Sequence, residues 1–136
     1  MNLTAAKYDR LSGDATLVAL LGVYAGGPAI FTTDPAPGNA TLPYLVAAGN
    51  VADAAFDSKN SRGRRPMFDV RCYAPATGSA ATVEAIAERV RALFHRHRLA
   101  VDGHTTWVAE ASGPVVADEK DAYGRIVTIR LVMVEG

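Results

Sequence analysis

An alternating strand that turns within a few residues into an amphipathic helix constrains this chain more than any other feature. Phe68, Val70 and Cys72 alternate with Asp69, Arg71 and Tyr73, the period of a strand with one core face. Pro75 and Gly78 turn the chain, and Ser79 to Phe94 follows. There Val83, Ile86, Ala87, Val90, Leu93 and Phe94 recur at three- and four-residue steps, filling an arc of about 120° on one helical face. Glu84, Glu88, Arg91, His95 and Arg96 fall on the other side. Thr77, Ser79 and Thr82 offer N-caps, Glu84 lies near the positive end of the helix dipole, and Arg96 and Arg98 lie near the negative end. A strand and a helix so closely joined bury their apolar faces against each other.

The flanks extend this unit. Residues 4–21 read as two short helices, capped by Thr4 and by Ser12 or Asp14, with Leu17, Leu20 and Leu21 on an apolar face and Gly22 as a stop. Ala29 to Thr32 fits a short edge strand. Residues 33–43 hold three prolines and form an extended connection, and Tyr44 to Ala48 is a strand. Residues 51–65 lack periodicity and read as a long loop, of which 57–65 is expected to order only in an assembly. Leu99 to Val101 and Thr105 to Ala111 flank the hairpin dipeptide Asp102-Gly103, and Gly113-Pro114 breaks the chain. Asp118 to Gly124 is a charged loop. Arg125 to Val134 is the longest strand, apolar on one face at Val127, Ile129, Leu131 and Met133 and largely so on the other. The expected fold class is α+β: an antiparallel sheet of about four to five strands, a long central helix packed on one face, and a short N-terminal helix pair. Phe68, Val70, Val90, Leu93, Phe94, Ile129 and Leu131 are expected to be mutually buried.

The length of 136 residues predicts one domain, 1–136, large enough to bury roughly two-thirds of its unfolded surface. Lys and Arg number 14 and so do Asp and Glu, which disfavours a dedicated nucleic-acid binder. The balance hides an asymmetry: residues 51–98 carry nine basic and five acidic groups, whereas 99–136 carry three and six. A single cysteine forbids an internal disulfide and a cysteine zinc site. No apolar run approaches the ~20 residues of a membrane span, and the N-terminus lacks a signal peptide's basic start and apolar core. The expectation is a cytoplasmic product with no membrane contact.

Candidate chemistry is sparse. His95, His97 and His104 are too ill-placed to share a metal, because positions two apart on a helix point nearly opposite ways. Cys72 points inward and packs as a small apolar group. No Gly-x-Ser-x-Gly elbow, phosphate loop or dinucleotide fingerprint occurs. Asp118, Glu119 and Asp121 crowd around Lys120 without calcium-loop spacing and read as a solvated hairpin tip. Lys59, Arg62, Arg64 and Arg65 form the sharpest basic patch, suited to phosphate or to an acidic protein surface. Tyr73 beside Arg71 is the best candidate for stacking a base.

Four stretches, in order, carry a family likeness: Tyr8 to Leu21, Ile30 to Pro37 with Leu42 to Val46, Phe68 to Pro75 running into the central helix, and Tyr123 to Leu131. In these the chain resembles the tail terminator or tail completion proteins, the head-tail joining proteins of long-tailed bacteriophages and of gene transfer agents. The resemblance implies a structural protein of the virion with no catalytic, cofactor-binding or metal-binding residues. It implies a homo-oligomer, usually a hexameric ring, assembled in the host cytoplasm and resident at the head-proximal end of the tail. Such a ring caps the tail tube protein, meets a head-tail connector protein and lets DNA pass through its lumen without sequence recognition. Lys59, Arg62, Arg64, Arg65, Asp118, Glu119 and Asp121 are then interface candidates. A small single-stranded nucleic-acid-binding module, or a small α+β enzyme with an unlocated site, are the alternatives.

Overall fold

In the computed structural model, which describes residues 2–136, the strand–turn–helix unit is the centre of an α+β structure. The elements are α1 (Leu3–Ser12), α2 (Ala15–Leu20), β1 (Val23–Tyr24), β2 (Gly27–Pro28), β3 (Ile30–Phe31), β4 (Tyr44–Val46), β5 (Ala52–Ala55), β6 (Gly63–Pro75), α3 (Ala81–Phe94), β7 (His104–Val116) and β8 (Ala122–Glu135). β1 and β2 form a small ribbon, and the other six strands form one sheet in the order β3-β4-β6-β8-β7, with β5 on the edge of β6. β6 and β8 keep one register from Gly63↔Val134 to Pro75↔Ala122. That pairing puts Phe68, Val70 and Cys72 on the same face as Val127, Ile129, Leu131 and Met133, all of them buried. The three helices cover this face, and α3 packs across β6, β7 and β8.

Several boundaries depart from the sequence pattern, each for a physical reason. β3 and β4 pair in parallel, Ile30↔Leu45 and Phe31↔Val46, because the proline-rich connection is long enough to carry the chain back to the same end. The stretch expected as a loop over 51–65 is a hairpin, in which Ala52 to Ala55 pairs with Met67 to Arg64 and only residues 56–62 connect the strands. β5 is exposed throughout and is held by backbone bonds, so it has no apolar alternation to read. Gly63 starts β6 because a Cβ there would lie 2.5 Å from the Phe56 carbonyl oxygen and 2.6 Å from that of Met133. The chain does not break at Gly113-Pro114. β7 runs through it with a register shift between Ser112 and Val115, and Gly113 supplies the φ of +97° that the bulge needs.

α3 ends at Phe94, so Arg96 and Arg98 lie beyond it. Its N-cap is Ala80, and the Ser79 hydroxyl accepts from Ala81 N at 3.3 Å. Asn2, not Thr4, caps α1, and Asp14 caps α2 by accepting from Leu17 N at 2.9 Å. Asp14 also takes a two-pronged bond from Arg89 of α3, at 2.7 and 2.8 Å, which holds its carboxyl below the usual range. Arg10 of α1 donates to the carbonyls of Leu93 and Arg98 at 2.7 and 2.6 Å. It thereby satisfies an acceptor at the helix end, where a cation is electrostatically favoured. These contacts tie the N-terminal pair to the C-terminal half of α3 and the segment after it.

Of the expected core, Phe68, Val70, Val90, Phe94, Ile129 and Leu131 are buried, with the Phe68 and Phe94 rings edge-to-face at 5.7 Å. Leu93 is half-buried and packs on the margin, beside the α1 contact. Lys7 is the anomaly: it is 1% exposed, donates to the Ala48 carbonyl at 2.7 Å and lies 4.4 Å from the Phe68 ring centroid. No carboxylate pairs with it among the described residues, and burial lowers its pKa from 10.5 to about 8.

Two predictions follow from this packing. Phe94→Ala should cost about 3–5 kcal/mol in urea unfolding, and Leu93→Ala less than about 2 kcal/mol, because only the first opens a cavity in the centre. For Lys7, the unfolded chain binds a proton that the folded chain lacks between pH 8 and 10.5, so stability rises with pH across that window. Below it the full cost of the buried ammonium is present. Lys7→Met should therefore be more stable than the parent at pH 7 by about 1–3 kcal/mol. That advantage should shrink as the pH rises toward 10.5. An advantage independent of pH would show that Lys7 is not buried as a charge.

Candidate functional site

The β6–β8 ladder places the two charged segments at opposite ends of the sheet. The connection between β5 and β6 leaves from Gly63, and the turn between β7 and β8 enters at Ala122. Twelve strand steps separate the paired positions Gly63 and Pro75, which is about 40 Å of extended chain. Within one chain the two segments therefore cannot neutralise one another.

At the basic end, Ser58 N donates to the Ser61 carbonyl at 2.8 Å and closes the turn. The four basic residues do not act as one cluster. Arg64 and Arg65 are neighbours on β6 and point to opposite faces. Arg64 is paired with Asp53 of β5. Arg65 stands over the Phe56 ring at 5.8 Å, and Phe56 meets Trp107 edge-on at 6.3 Å. Lys59 and Arg62 line an open depression with Asp57 and Glu135, and neither forms an ion pair among the described residues.

At the acidic end, Glu119 and Ala122 bridge a tight turn with Lys120 and Asp121 at its tip. Asp118 accepts from Gly124 N at 2.9 Å and from Arg125 at 3.1 Å. Arg125 is buried and also reaches Glu84 of α3 at 3.3 Å, so one guanidinium anchors the hairpin to the helix. Asp118 is thus partly spent on the fold, while Glu119 and Asp121 are exposed. Glu119 lies near Tyr44 and Tyr73. Burial first, and the Glu119 charge among the lesser causes, pushes both phenols above their ordinary value.

Tyr73 is not a free stacking platform. It is 6% exposed and closes a ladder of rings from Tyr24 through Phe31 and Tyr44, with centroids 5.1, 5.7 and 5.4 Å apart. The ladder covers one end of the sheet face opposite the helices, together with Ala36 and Leu42 of the proline-rich connection. Cys72 is buried, and burial pushes its thiol up to about 12, which leaves it protonated and unreactive. His95 does not face water: it is half-buried just past α3, and its Nδ1 accepts from Ala111 N of β7 at 3.2 Å. Among the described residues no three His, Cys, Asp or Glu side chains gather as a metal site, and no helix is long and apolar enough to cross a membrane.

Sequence reading missed a groove of about 460 Å³ beside β7, lined among others by Arg96, Arg98, Trp107, Val108, Glu110 and Arg130. The only trace in the sequence was the pair Arg96 and Arg98, read as companions of the helix dipole. Trp107 and Arg130 come to the same place through strand pairing, which no local pattern announces.

A family model described as tail completion protein gp17 matches residues 5–134. No curated protein matches the chain. Among solved structures, a chain of one described as the virion of a native gene transfer agent (GTA) particle superposes with a TM-score of 0.78 at 24% identity, over 98% of this chain and 95% of that one. At that identity the likeness is one of fold.

Arg125 supports a further prediction. Arg125→Met should leave the sheet folded but release the acidic hairpin, seen as faster amide exchange over residues 117–121. Unchanged protection there would show that the turn alone holds the tip.

Proposed function

The chain belongs to the tail completion protein gp17 family, and from that premise we propose that it is the subunit of a ring that closes the head-proximal end of a tail. Its role is structural, in the assembly of a virion. On this reading residues 1–136 act as one domain and six copies form the ring. The ring terminates the tail tube protein, meets the head-tail connector protein and leaves a lumen through which DNA passes without sequence recognition. The subunit is made in the host cytoplasm and carries out no catalysis.

The observation that carries the reading is the extent of the family match, from residue 5 to residue 134, which spans every element from α2 to β7 and all but the last residue of β8. The geometry supports it. A subunit with opposite charge at the two ends of a stiff sheet is suited to heterologous contacts, in which one surface meets a different surface of another copy. Lys59, Arg62, Arg64 and Arg65 at one end, and Asp118, Glu119 and Asp121 at the other, are our positions for contact with neighbouring subunits or tail proteins. The nucleic-acid alternative loses its main support, because Tyr73 is enclosed in the ring ladder.

Two measurements test the reading. Light scattering and negative-stain images of the purified chain should give closed rings of uniform size. Removing its gene from the particle should leave filled heads unattached and tails of uncontrolled length. Joined, infectious or transducing particles formed without the gene product would overturn it.

A further inference from the structure

The groove beside β7 has a chemistry that the reading above does not use. Its lining holds three arginines, Arg96, Arg98 and Arg130, and a single acidic residue, Glu110, which lies cross-strand from Arg130. None of the three arginines forms an ion pair among the described residues. Trp107 stands at the register shift between Thr106 and Val108 and is 59% exposed, and Val108 beside it is 40% exposed. The groove is therefore cationic with an apolar wall. Its position is built: the backbone N–H of Arg96 donates to the Ala109 carbonyl at 2.9 Å, and Arg96 is held at φ +60°, a conformation disfavoured for a residue with a Cβ. The occupant that suits such a groove carries acidic groups next to exposed aliphatic ones.

The same chain presents that combination elsewhere. At the far end of β7, Val115 and Val116 are 62% and 63% exposed, and Glu119 and Asp121 follow on the exposed tip. The groove and the tip lie on one strand pair, from Trp107 to Val116 and beyond, about 30 Å apart at the rise of a strand. A subunit's own tip cannot reach its own groove, so their union joins different copies and is head-to-tail.

We propose that the acidic tip of the β7–β8 hairpin in one copy docks into the arginine groove beside β7 of the next. Glu119 and Asp121 meet Arg96, Arg98 and Arg130, while Val115 or Val116 covers Trp107. This rests on the ring reading and specifies which surfaces meet in it. It leaves Lys59 and Arg62, on the connection that follows Phe56 and its contact with Trp107, for contact with tail proteins.

The test is a charge-swap series on the full chain, read by light scattering across concentration and by the emission of Trp107, the sole tryptophan. Arg96→Glu with Arg98→Glu should raise the concentration needed for assembly by at least about tenfold and abolish the concentration-dependent blue shift. Glu119→Lys with Asp121→Lys should do the same, and combining the four substitutions should restore both signals in part. Glu88→Lys, an exposed charge of α3 outside both surfaces, should leave them intact. Circular dichroism confirms that each variant is folded before it is scored. Rings that form as readily with Arg96 and Arg98 reversed would overturn the docking and leave the ring reading standing. A parent chain that never self-associates, with constant Trp107 emission, would overturn both. Salt-dependent quenching of Trp107 by a short double-stranded DNA, lost with the arginines and not restored by the acidic swap, would assign the groove to nucleic acid instead.

Discussion

The pairing of β6 with β8 is the interaction on which the rest of the molecule depends. It holds one register from Gly63↔Val134 to Pro75↔Ala122. Because side chains alternate across a strand, a slip of one residue would send one strand's set, Phe68 with Val70 or Val127 with Ile129 and Leu131, to the face opposite the helices together. That shared penalty fixes the register far more firmly than any single contact. It also fixes where the charged turns go, since both connections leave the sheet from the ends of these two strands. The separation of acid from base is thus a consequence of core packing.

The helices add a second layer and a directional constraint. α3 cannot slide along the sheet, because polar contacts hold it at several points: Arg10 at its end, Arg89 with Asp14 along its side, and Glu84 with Arg125 near its start. These bonds involve partly exposed groups, and each contributes modestly. Their value lies in placement. They bring the C-terminal end of α3 to β7, where His95 and Arg96 take up backbone groups of Ala111 and Ala109. An edge strand left open would template pairing with another chain. Here its middle is closed by the segment after the helix, and its far part is interrupted by the Gly113-Pro114 irregularity. Association through side chains is favoured over continuation of the sheet.

What could be read in the sequence followed the strength of its periodicity. α3, the centre of β6 and β8 from Arg125 onward carry long runs with a clear period, and they were legible; the first residues of β8, Ala122 to Gly124, were read as part of the charged loop. β5 was not: Ala-Asp-Ala-Ala has neither alternation nor strand propensity, and it exists because β4 covers only the later part of β6 and leaves an edge open. The end of α3 at Phe94 was legible; the course of residues 95–98 along β7 was not, because nothing local reveals that β7 captures the chain there. Lys7 was unremarkable in sequence; only the packing of α1 against the Ala48 carbonyl and Phe68 encloses it. The charged segments were visible as composition. Their division into groups used inside the fold, such as Arg64 and Asp118, and groups left unpaired, such as Arg62 and Asp121, was not.

That division bears on how copies of this chain would meet under the proposed docking. The exposed apolar side chains Trp107, Val115 and Val116 sit close to unpaired charges that differ in sign between the two localities. Near Trp107 the sign is positive, and near Val115 and Val116 it is negative. Two copies brought together groove to groove, or tip to tip, would oppose like charges in the act of burying apolar surface, and the repulsion offsets the gain. Only the unlike encounter lets both terms act together. Under the proposed docking such a surface would select head-to-tail geometry by excluding its alternatives, and the β6–β8 ladder keeps the two poles apart within a single chain.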